Sequence, residues 1–274
     1  MKILITGSRG FLGSHAYDYF VRQGHAVTGV DIDHDIRNGF PDGNFDVVIA
    51  FAAYVGGRKG IDTNHWKIVE NIELDRLTFS WAEQHCGKIL YPSSCAAYPM
   101  ELQYGTGTPM HEDTVGSSDT FDQYGMVKVM AERMLKLCNV PSMVMRPFSI
   151  YGPGQSMDYP LPAIIERARR KECSVWGSGT QTRDWVYIDD AVKIFDQLIH
   201  MDESVTVNVG TGKPIDFIEV AQTIYSIIWN EVVEVKRNTT EPEGAGHRYA
   251  DIGRMQSLGL YCPTSFRDGV RNMI

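Results

Sequence analysis

Short apolar runs alternate with longer amphipathic stretches through the first half of the chain. An almost continuously apolar run of this length is typical of a strand buried on both faces of a parallel sheet. Such runs lie at 1–6, 26–30, 45–50, 88–91, 144–147 and 205–209. The stretches 64–84 and 121–137 carry apolar residues at helical spacing and predict two long helices. The alternation predicts an α/β fold, a Rossmann-type doubly wound parallel sheet.

The pattern becomes less regular after about residue 150, where glycine and proline are more frequent. Helical spacing continues at 162–171, 191–200 and 218–228, and the chain is predicted to end in a loop and one short helix. We expect a small C-terminal lobe beside the sheet. Ligands bind at the carboxyl ends of the strands in such sheets, so the lobe is predicted to cover that edge.

A glycine-rich turn joins the first strand to the first helix. The three glycines of this turn allow a tight bend and a close approach of backbone to phosphate, and the helix N-terminus adds free N–H groups and a positive dipole end. We therefore predict a dinucleotide pyrophosphate site, the alternative being an ordinary strand-to-helix turn. Its predicted cofactor-binding residues are Gly7, Arg9, Gly10, Phe11, Leu12 and Gly13.

The second strand ends at Asp31, about 20 residues beyond the turn, where a carboxylate can accept both hydrogen bonds of the adenosine ribose diol. The same charge repels a 2′-phosphate, so Asp31 favours NAD over NADP. Arg9 favours NADP, because an arginine beside the ribose can bind that phosphate. Asp35 and Ile36 are predicted at the adenine edge, with a plain surface turn as the alternative.

Small residues follow the strand at 45–50. Ala52 and Ala53 stand at its carboxyl end, where small side chains let a cofactor lie close to the backbone. We expect residues 1–150 to form the NAD-binding domain, with 187–212 returning to it. Residues 151–186 and 213–274 are expected to form the substrate-binding lobe.

Tyr124 and Lys128 lie four residues apart and share one face of a predicted helix. An ammonium near a phenol lowers the pKa of the phenol, so a tyrosine in this position can act as a general base toward an alcohol. Ser94, at the end of a predicted strand, can orient the same substrate oxygen. The alternatives are a solvated helix face and a turn whose hydroxyls cap backbone groups. We predict Tyr124, Lys128 and Ser94 as catalytic residues, with Tyr124 and Lys128 also contacting the cofactor.

Further motifs extend along most of the chain. They are TGxxGFLG at 6–13, Asp31, YxxxK at 124–128, the serine pair 93–94 before Tyr98-Pro99, RPxxxYGP at 146–153 and GxGxQxRDxxYxxD at 177–190. Together they resemble the extended short-chain dehydrogenase/reductases that act on nucleotide sugars. The resemblance implies NAD kept bound through the cycle, Tyr124 as base, Ser94 as its partner and Lys128 as the residue that tunes it. It also implies Arg183 and Arg248 on the substrate pyrophosphate.

Within that group the chain resembles GDP-mannose 3,5-epimerases and GDP-fucose synthases. The likeness lies in residues 52–57, Asn64-His65, Asn71 and Glu241 to Gly244. It implies Asn71 near the cofactor, and Cys95 and Ser149 near the substrate. Both families have an acid/base cysteine at the position of Ala96, and the 3,5-epimerases have a lysine where 155–161 has none. The related dehydratases and decarboxylases have a glutamate at Ala96.

These departures leave 4-epimerisation of a nucleoside-diphosphate sugar as the activity with the fewest missing groups. The alternatives are 3,5-epimerisation, an NADPH-dependent epimerase/reductase, and a non-catalytic sugar-nucleotide-binding protein. His65 and Cys95 are candidate extra acid/base groups, with a packed histidine and an inert thiol as the alternatives. The two long helices commonly pair between subunits in this family, so a homodimer is expected.

Composition narrows the partners and the compartment. The 274 residues carry a net charge of −8 and form no basic block, so a nucleic-acid or anionic-membrane partner is not expected. The five cysteines are scattered without a CxxC, which argues against disulfides and against a metal site and favours a reducing compartment. We predict a cytoplasmic protein without a signal peptide or a membrane span.

Overall fold

A six-stranded parallel sheet forms the centre of the protein in the computed structural model, which describes residues 1–104, 107–241 and 243–274, with backbone alone at 58 and 59. The sheet strands are β1 Lys2–Thr6, β2 Ala26–Val30, β3 Val47–Ala50, β4 Ile89–Pro92, β5 Ser142–Pro147 and, later in the chain, β9 Val205–Val209. Their order across the sheet is β2-β1-β3-β4-β5-β9. The α/β fold and the parallel sheet predicted from the sequence are confirmed.

Eleven helices are formed by the described residues. They are α1 Phe11–Arg22, α2 Arg58–Thr63, α3 His65–Val69, α4 Asn71–His85, α5 Met100–Tyr104, α6 Gln123–Leu135, α7 Pro160–Arg169, α8 Ile188–Ile199, α9 Phe217–Trp229, α10 Gly253–Ser257 and α11 Phe266–Arg271. The smaller strands are β6 Ser149–Tyr151, β7 Ser174–Trp176, β8 Thr182–Tyr187, β10 Pro214–Asp216, β11 Lys236–Asn238 and β12 His247–Arg248.

The sheet separates two apolar cores. Ile3 and Ile5 of β1 face one core, which includes α1 and α8, whereas Leu4 faces the other. Alternate residues of a strand point to opposite faces, so three successive apolar residues supply both cores. The second core lies under α4 and α6, and α6 also carries the candidate catalytic residues Tyr124 and Lys128.

The second half of the chain builds smaller sheets beside the main one. β8 pairs with β6, β10 and β12, and β7 pairs with β11. Helices α7 and α9 pack together, and the indole Nε1 of Trp229 donates to the carbonyl of Ala168 at 2.7 Å. Strand β9 returns to the main sheet beside β5.

Two element predictions are wrong. The single helix predicted over 64–84 is two helices, α3 and α4, which meet at Glu70. There the N–H of Glu73 donates to the carbonyl of Glu70, three residues earlier, as in a 3-10 helix. An α-helix would use the carbonyl four residues earlier. The end of the chain holds two short helices, α10 and α11, after two short strands, rather than one helix. Periodicity misses such elements because each is only two to six residues long.

The segment between β2 and β3 is too short for a further helix and strand, as predicted. It forms two single 3-10 turns, Ile32–His34 and Ile36–Asn38. The main sheet therefore ends at β2. In the part of the chain that the structure describes, no helix is long and apolar enough to cross a bilayer, and no cluster of three or more His, Cys, Asp or Glu side chains is placed to hold a metal ion.

Candidate active site

The glycine turn after β1 has no room for side chains at two of its glycines. A Cβ on Gly13 would lie 2.0 Å from the carbonyl oxygen of Gly7, and one on Gly7 would lie 2.7 Å from the backbone of Phe51. Gly7 also has a φ of 66°, which favours glycine. Helix α1 begins directly after Gly10, which has no side chain to cap the first N–H groups. These groups can therefore bind a phosphate.

Acidic residues surround Arg9 on this turn. Asp31 accepts a hydrogen bond from the backbone N–H of Arg9 at 2.8 Å and another from Ile32 at 2.8 Å. The Arg9 guanidinium binds both carboxylate oxygens of Asp33, at 2.9 and 2.6 Å. Because the Arg9 guanidinium already binds a carboxylate, it is less available to bind the 2′-phosphate of NADP.

The other predicted cofactor residues are arranged around the same edge. Phe11 and Leu12 pack partly buried against the first core. The Asp35 carboxylate binds Arg37, whose guanidinium lowers the pKa of Asp35. Ile36 is buried in the second core.

Asn71 fixes the segment that follows β3. Its amide accepts from the Tyr54 N–H at 2.6 Å and donates to the Tyr54 carbonyl at 2.8 Å. The N–H of Ala52 donates to the Thr6 hydroxyl at 3.1 Å, and Ala53 is half-buried beside it. The structure thus places Asn71 as a support for the backbone around the two alanines.

Ser94 and Tyr124 are brought together by close packing of α6 against the turn after β4. A Cβ on Gly125 would lie 2.1 Å from the Ala96 carbonyl oxygen, so glycine is required beside Tyr124. Ser94 caps that turn by accepting from the Ala96 N–H at 3.1 Å. Ser94 is also hydrogen-bonded to Tyr124, which lowers the pKa of the phenol.

The pKa of Tyr124 differs from the sequence expectation. Burial raises it, and the charges of Tyr159 and Cys95 raise it further, which together outweigh the Ser94 hydrogen bond. The Lys128 ammonium lies 5.8 Å from the centre of the Tyr124 ring and donates instead to the Tyr91 hydroxyl at 3.0 Å and the Pro92 carbonyl at 2.8 Å. In the free protein, burial therefore outweighs the lowering of this pKa that the sequence analysis expects from Lys128.

Two arginines lie side by side where the predicted substrate pyrophosphate would bind. Arg183 on β8 is in register with Arg248 on β12. Burial and the neighbouring Arg248 lower the pKa of Arg183. Arg248 donates through Nε to Gln103 at 2.7 Å, and its Nη2 is buried without a hydrogen-bond partner among the described residues. Two adjacent, half-buried arginines of this kind favour an anionic ligand.

The remaining predicted substrate residues occupy different positions. Cys95 is buried and interacts electrostatically with both Tyr124 and Arg183, so its thiol is near both groups. Ser149 is half-buried on β6, opposite Trp185 of β8. His65 is exposed, and its Nδ1 lies 2.6 Å from the side-chain nitrogen of Gln123, the residue before Tyr124.

Sequence reasoning missed three residues at this site. Tyr159, just before α7, is close enough to Tyr124 to raise its pKa. Gln103 is fully buried and links Arg248 to the Tyr98 carbonyl, to which it donates at 2.6 Å. Asp75 is buried behind Lys128. An acidic residue within a predicted core-facing helix was the available signal for Asp75. Gln103 lies on the short helix α5, which the sequence pattern did not predict, and Tyr159 lies on the irregular segment before α7.

Comparison with known proteins agrees with this geometry. A model of the NAD dependent epimerase/dehydratase family matches residues 3–210. The chain belongs to this family. It is 26% identical over 317 residues to an uncharacterized UDP-glucose epimerase of Bacillus subtilis, covering all of this chain and 97% of that protein. It is also 26% identical over 304 residues to GDP-mannose 3,5-epimerase 1 of Oryza sativa subsp. indica, covering 99% and 80%.

Solved structures share the epimerase/dehydratase fold. The UDP-glucuronic acid 4-epimerase of Bacillus cereus, in complex with UDP-glucuronic acid and NAD, matches with a TM-score of 0.84 at 21% identity, over 99% of this chain and 97% of that one. The UDP-glucose 4-epimerase of Thermotoga maritima, with UDP-glucose, has a TM-score of 0.84 at 21% identity, over 100% and 97%.

The family also establishes the cofactor. The protein is an enzyme of an NAD-dependent nucleotide-sugar epimerase/dehydratase family, and its cofactor is NAD, as predicted from Asp31. The residues present fit this cofactor. The crowded glycine turn leaves backbone N–H groups for a pyrophosphate, and the Asp31 carboxylate stands beside that turn.

Proposed function

We propose that the protein is a nucleoside-diphosphate-sugar epimerase that inverts C4 through a transient 4-keto sugar. The proposal rests on the hydrogen bond between Ser94 and Tyr124. Tyr124 lies on α6, the helix that also contains Lys128. Position 96, where related enzymes have an acid/base group, is a buried alanine in this chain. The site therefore offers the hydroxyl groups of Ser94 and Tyr124 to a sugar alcohol. At position 96 it lacks the acid/base group that the other activities of this group of enzymes use.

Each residue has a separate task in the proposed reaction. Tyr124 removes the proton of the 4-hydroxyl, and Ser94 hydrogen-bonds the same oxygen and orients it. Bound NAD supplies the hydride acceptor and donor and, when oxidised, a positive charge on its nicotinamide ring. A cation near a phenol lowers the pKa of the phenol. The rise in the pKa of Tyr124 that burial causes is therefore offset only when Lys128 is charged and the cofactor is present. Tyr124 then returns the proton after the sugar has turned over.

Arg183 and Arg248 are proposed to bind the pyrophosphate of the substrate, and Cys95 and Ser149 to line the sugar pocket. Buried arginines are suited to this task because their planar guanidinium groups match phosphate oxygens. The UDP-sugar ligands of the structural neighbours support a nucleoside-diphosphate sugar as substrate. We assign NAD to residues 1–150 with 187–212, and the sugar end of the substrate to the lobe formed by 151–186 and 213–274.

The test combines a substrate panel with a tyrosine variant. The NAD-loaded enzyme is incubated with UDP-, GDP-, CDP- and dTDP-sugars, and new isomers are resolved by chromatography and NMR. We expect a C4 epimer, and Tyr124→Phe is expected to reduce turnover by at least about a hundredfold with an unchanged fold by circular dichroism. Near-normal activity of Tyr124→Phe would contradict the mechanism.

Deuterated water separates the proposal from its alternatives. Inversion at C4 returns the same hydride, so the product gains no deuterium at carbon. A 3,5-epimerase exchanges the hydrogens beside the 4-keto group and gives a heavier product. A reductase consumes reduced cofactor in step with product, and a binding protein retains a sugar nucleotide without converting it. Deuterium at carbon, or consumption of reduced cofactor in step with product, would replace C4 inversion by the corresponding reaction, and retention without conversion would replace it by binding alone.

We also propose a homodimer and a cytoplasmic location. Helix α6 exposes the apolar side chains of Met126 and Met130, and Trp66 on the nearby α3 is 82% exposed. These side chains support pairing between copies of the chain through this surface. The five free cysteines support a reducing compartment.

A further inference from the structure

A buried chain of hydrogen bonds extends from the catalytic helix to α4. The Lys128 ammonium donates to the Tyr91 hydroxyl at 3.0 Å, and that hydroxyl donates to Oδ2 of Asp75, also at 3.0 Å. The exposed fractions are 3% for Lys128, 0% for Tyr91 and 4% for Asp75. A buried ammonium and a buried carboxylate thus share one phenolic oxygen on β4.

Asp75 is the carboxylate in this cluster whose charge is available to Lys128. Glu132, one turn along α6, also faces the lysine, but Arg146 binds both of its oxygens, at 2.9 and 2.7 Å. Arg146 therefore neutralises Glu132. A buried lysine without a counter-charge loses its proton readily, because burial disfavours the charged form.

We propose that Asp75, acting through the Tyr91 hydroxyl, keeps Lys128 charged and in position, and is thereby a positioning residue for the reaction. The proposal rests on the role of Tyr124 proposed above. Lys128 is a cation one turn from Tyr124 on α6, and it stabilises the phenolate of Tyr124 only while it is charged. Asp75 thus acts on Tyr124 indirectly, through the Tyr91 hydroxyl and the Lys128 ammonium.

The titration of these groups follows from their surroundings. Burial raises the pKa of Asp75 to about 6, opposed by Lys128 and by the Tyr91 hydrogen bond. Burial lowers the pKa of Lys128, and Asp75 and then Glu132 oppose that change. Tyr91 and Tyr124 are the phenols that face this cluster. As the pH falls through about 6, Asp75 becomes neutral and Lys128 loses its counter-charge.

The experiment measures ionisation of Tyr124 directly, in the NAD-loaded protein. The ultraviolet absorbance of tyrosinate is titrated with pH, and the curve of the matching Tyr124→Phe protein is subtracted. We expect Asp75→Asn to raise the pKa of Tyr124 by about one unit, equivalent to tenfold less phenolate. Its kcat at neutral pH is expected to fall accordingly, and the inflection near pH 6 that we expect for the wild type is expected to be absent.

Two further variants make the result decisive. Tyr91→Phe removes the shared hydroxyl and is also expected to raise the pKa of Tyr124. If Asp75→Asn does not fold, the titration of Tyr91→Phe decides the test. Asp190→Asn changes another buried carboxylate, bound to Thr264, and is expected to leave the Tyr124 titration unchanged. An unshifted titration in Asp75→Asn or Tyr91→Phe overturns the inference. Retained activity of Tyr124→Phe overturns the proposed function instead.

Discussion

At the residue scale, two neighbouring aspartates beside the glycine turn have different contacts. Asp31 accepts backbone N–H groups of the turn and its own 3-10 helix, whereas Asp33 binds the guanidinium of Arg9. Arg9 is thereby held by a carboxylate in a protein that uses NAD. We propose that the repulsion from Asp31 and the binding of Arg9 by Asp33 together disfavour NADP.

The first prediction concerns this selectivity. Asp33→Asn removes the charge that binds Arg9, so the guanidinium becomes available to a 2′-phosphate. We expect the Kd for NADP to fall about tenfold relative to that for NAD, which corresponds to about 1.4 kcal/mol. Titration calorimetry with both cofactors measures the ratio. Asp42→Asn, in the exposed turn before β3, is the control, and an unchanged ratio in Asp33→Asn would refute the explanation.

The sequence indicates the candidate catalytic residues better than the residues that support them. Ser94, Tyr124 and Lys128 were identifiable because each belongs to a motif with a chemical meaning, and the structure brings Ser94 and Tyr124 into contact. The pKa of Tyr124 was not predictable, because burial outweighs the neighbouring charges and depends on the tertiary packing. Asp75 was missed for the same reason, since its partners come from β4 and α6.

At the element scale, the break between α3 and α4 places Asn71 at the first position of α4. There its amide binds both backbone groups of Tyr54. Apolar periodicity predicted one helix because Ile68 and Ile72 continue the same stripe across the break. The buried face of α4 is in fact largely polar at its start, with Asn71, Asp75 and Thr78, so periodicity could not show which face is inside.

The second prediction tests the support that α4 gives to the cofactor edge. Asn71→Ala leaves the Tyr54 N–H and carbonyl without their buried partner, which we expect to lower the free energy of unfolding by about 1–3 kcal/mol. We also expect weaker NAD binding, because the backbone around Ala52 and Ala53 is no longer fixed. Urea unfolding and NAD titration measure the two effects. Asn64→Ala, which loses bonds to Gly60 and Thr63 at the neighbouring helix junction, should retain wild-type NAD affinity.

At the scale of the whole molecule, the six strands of the main sheet are recognisable as apolar runs, but the arrangement of the second half has no such signal. β9 was recognisable as an apolar run, and its return to the sheet beside β5 is observed. The strands β10, β11 and β12 are two to three residues long, and their pairing with distant strands has no local signal. The register that places Arg248 beside Arg183 therefore emerges only from the three-dimensional structure.

The third prediction concerns assembly. Met126 and Met130 are 49% and 44% exposed, one turn apart on α6. If this surface joins two subunits, lysines at both positions place like charges in the interface and the double variant is monomeric by sedimentation velocity. Val21→Lys, on α1 with 47% exposure, should remain dimeric. A monomeric wild type, or a double variant that still dimerises, would contradict the proposed interface.

The position of β9 in the sheet has a consequence for synthesis on the ribosome. Strand β5 is complete at Pro147, but the strand that covers its outer edge, β9, begins only at Val205. At about 5–20 residues per second, the intervening stretch of roughly sixty residues takes about 3–12 s to translate. Throughout that interval the nascent chain carries an open apolar strand, with Met143 and Met145 on it. We therefore expect the nascent chain to bind holding chaperones during this interval, before its last sheet strand exists.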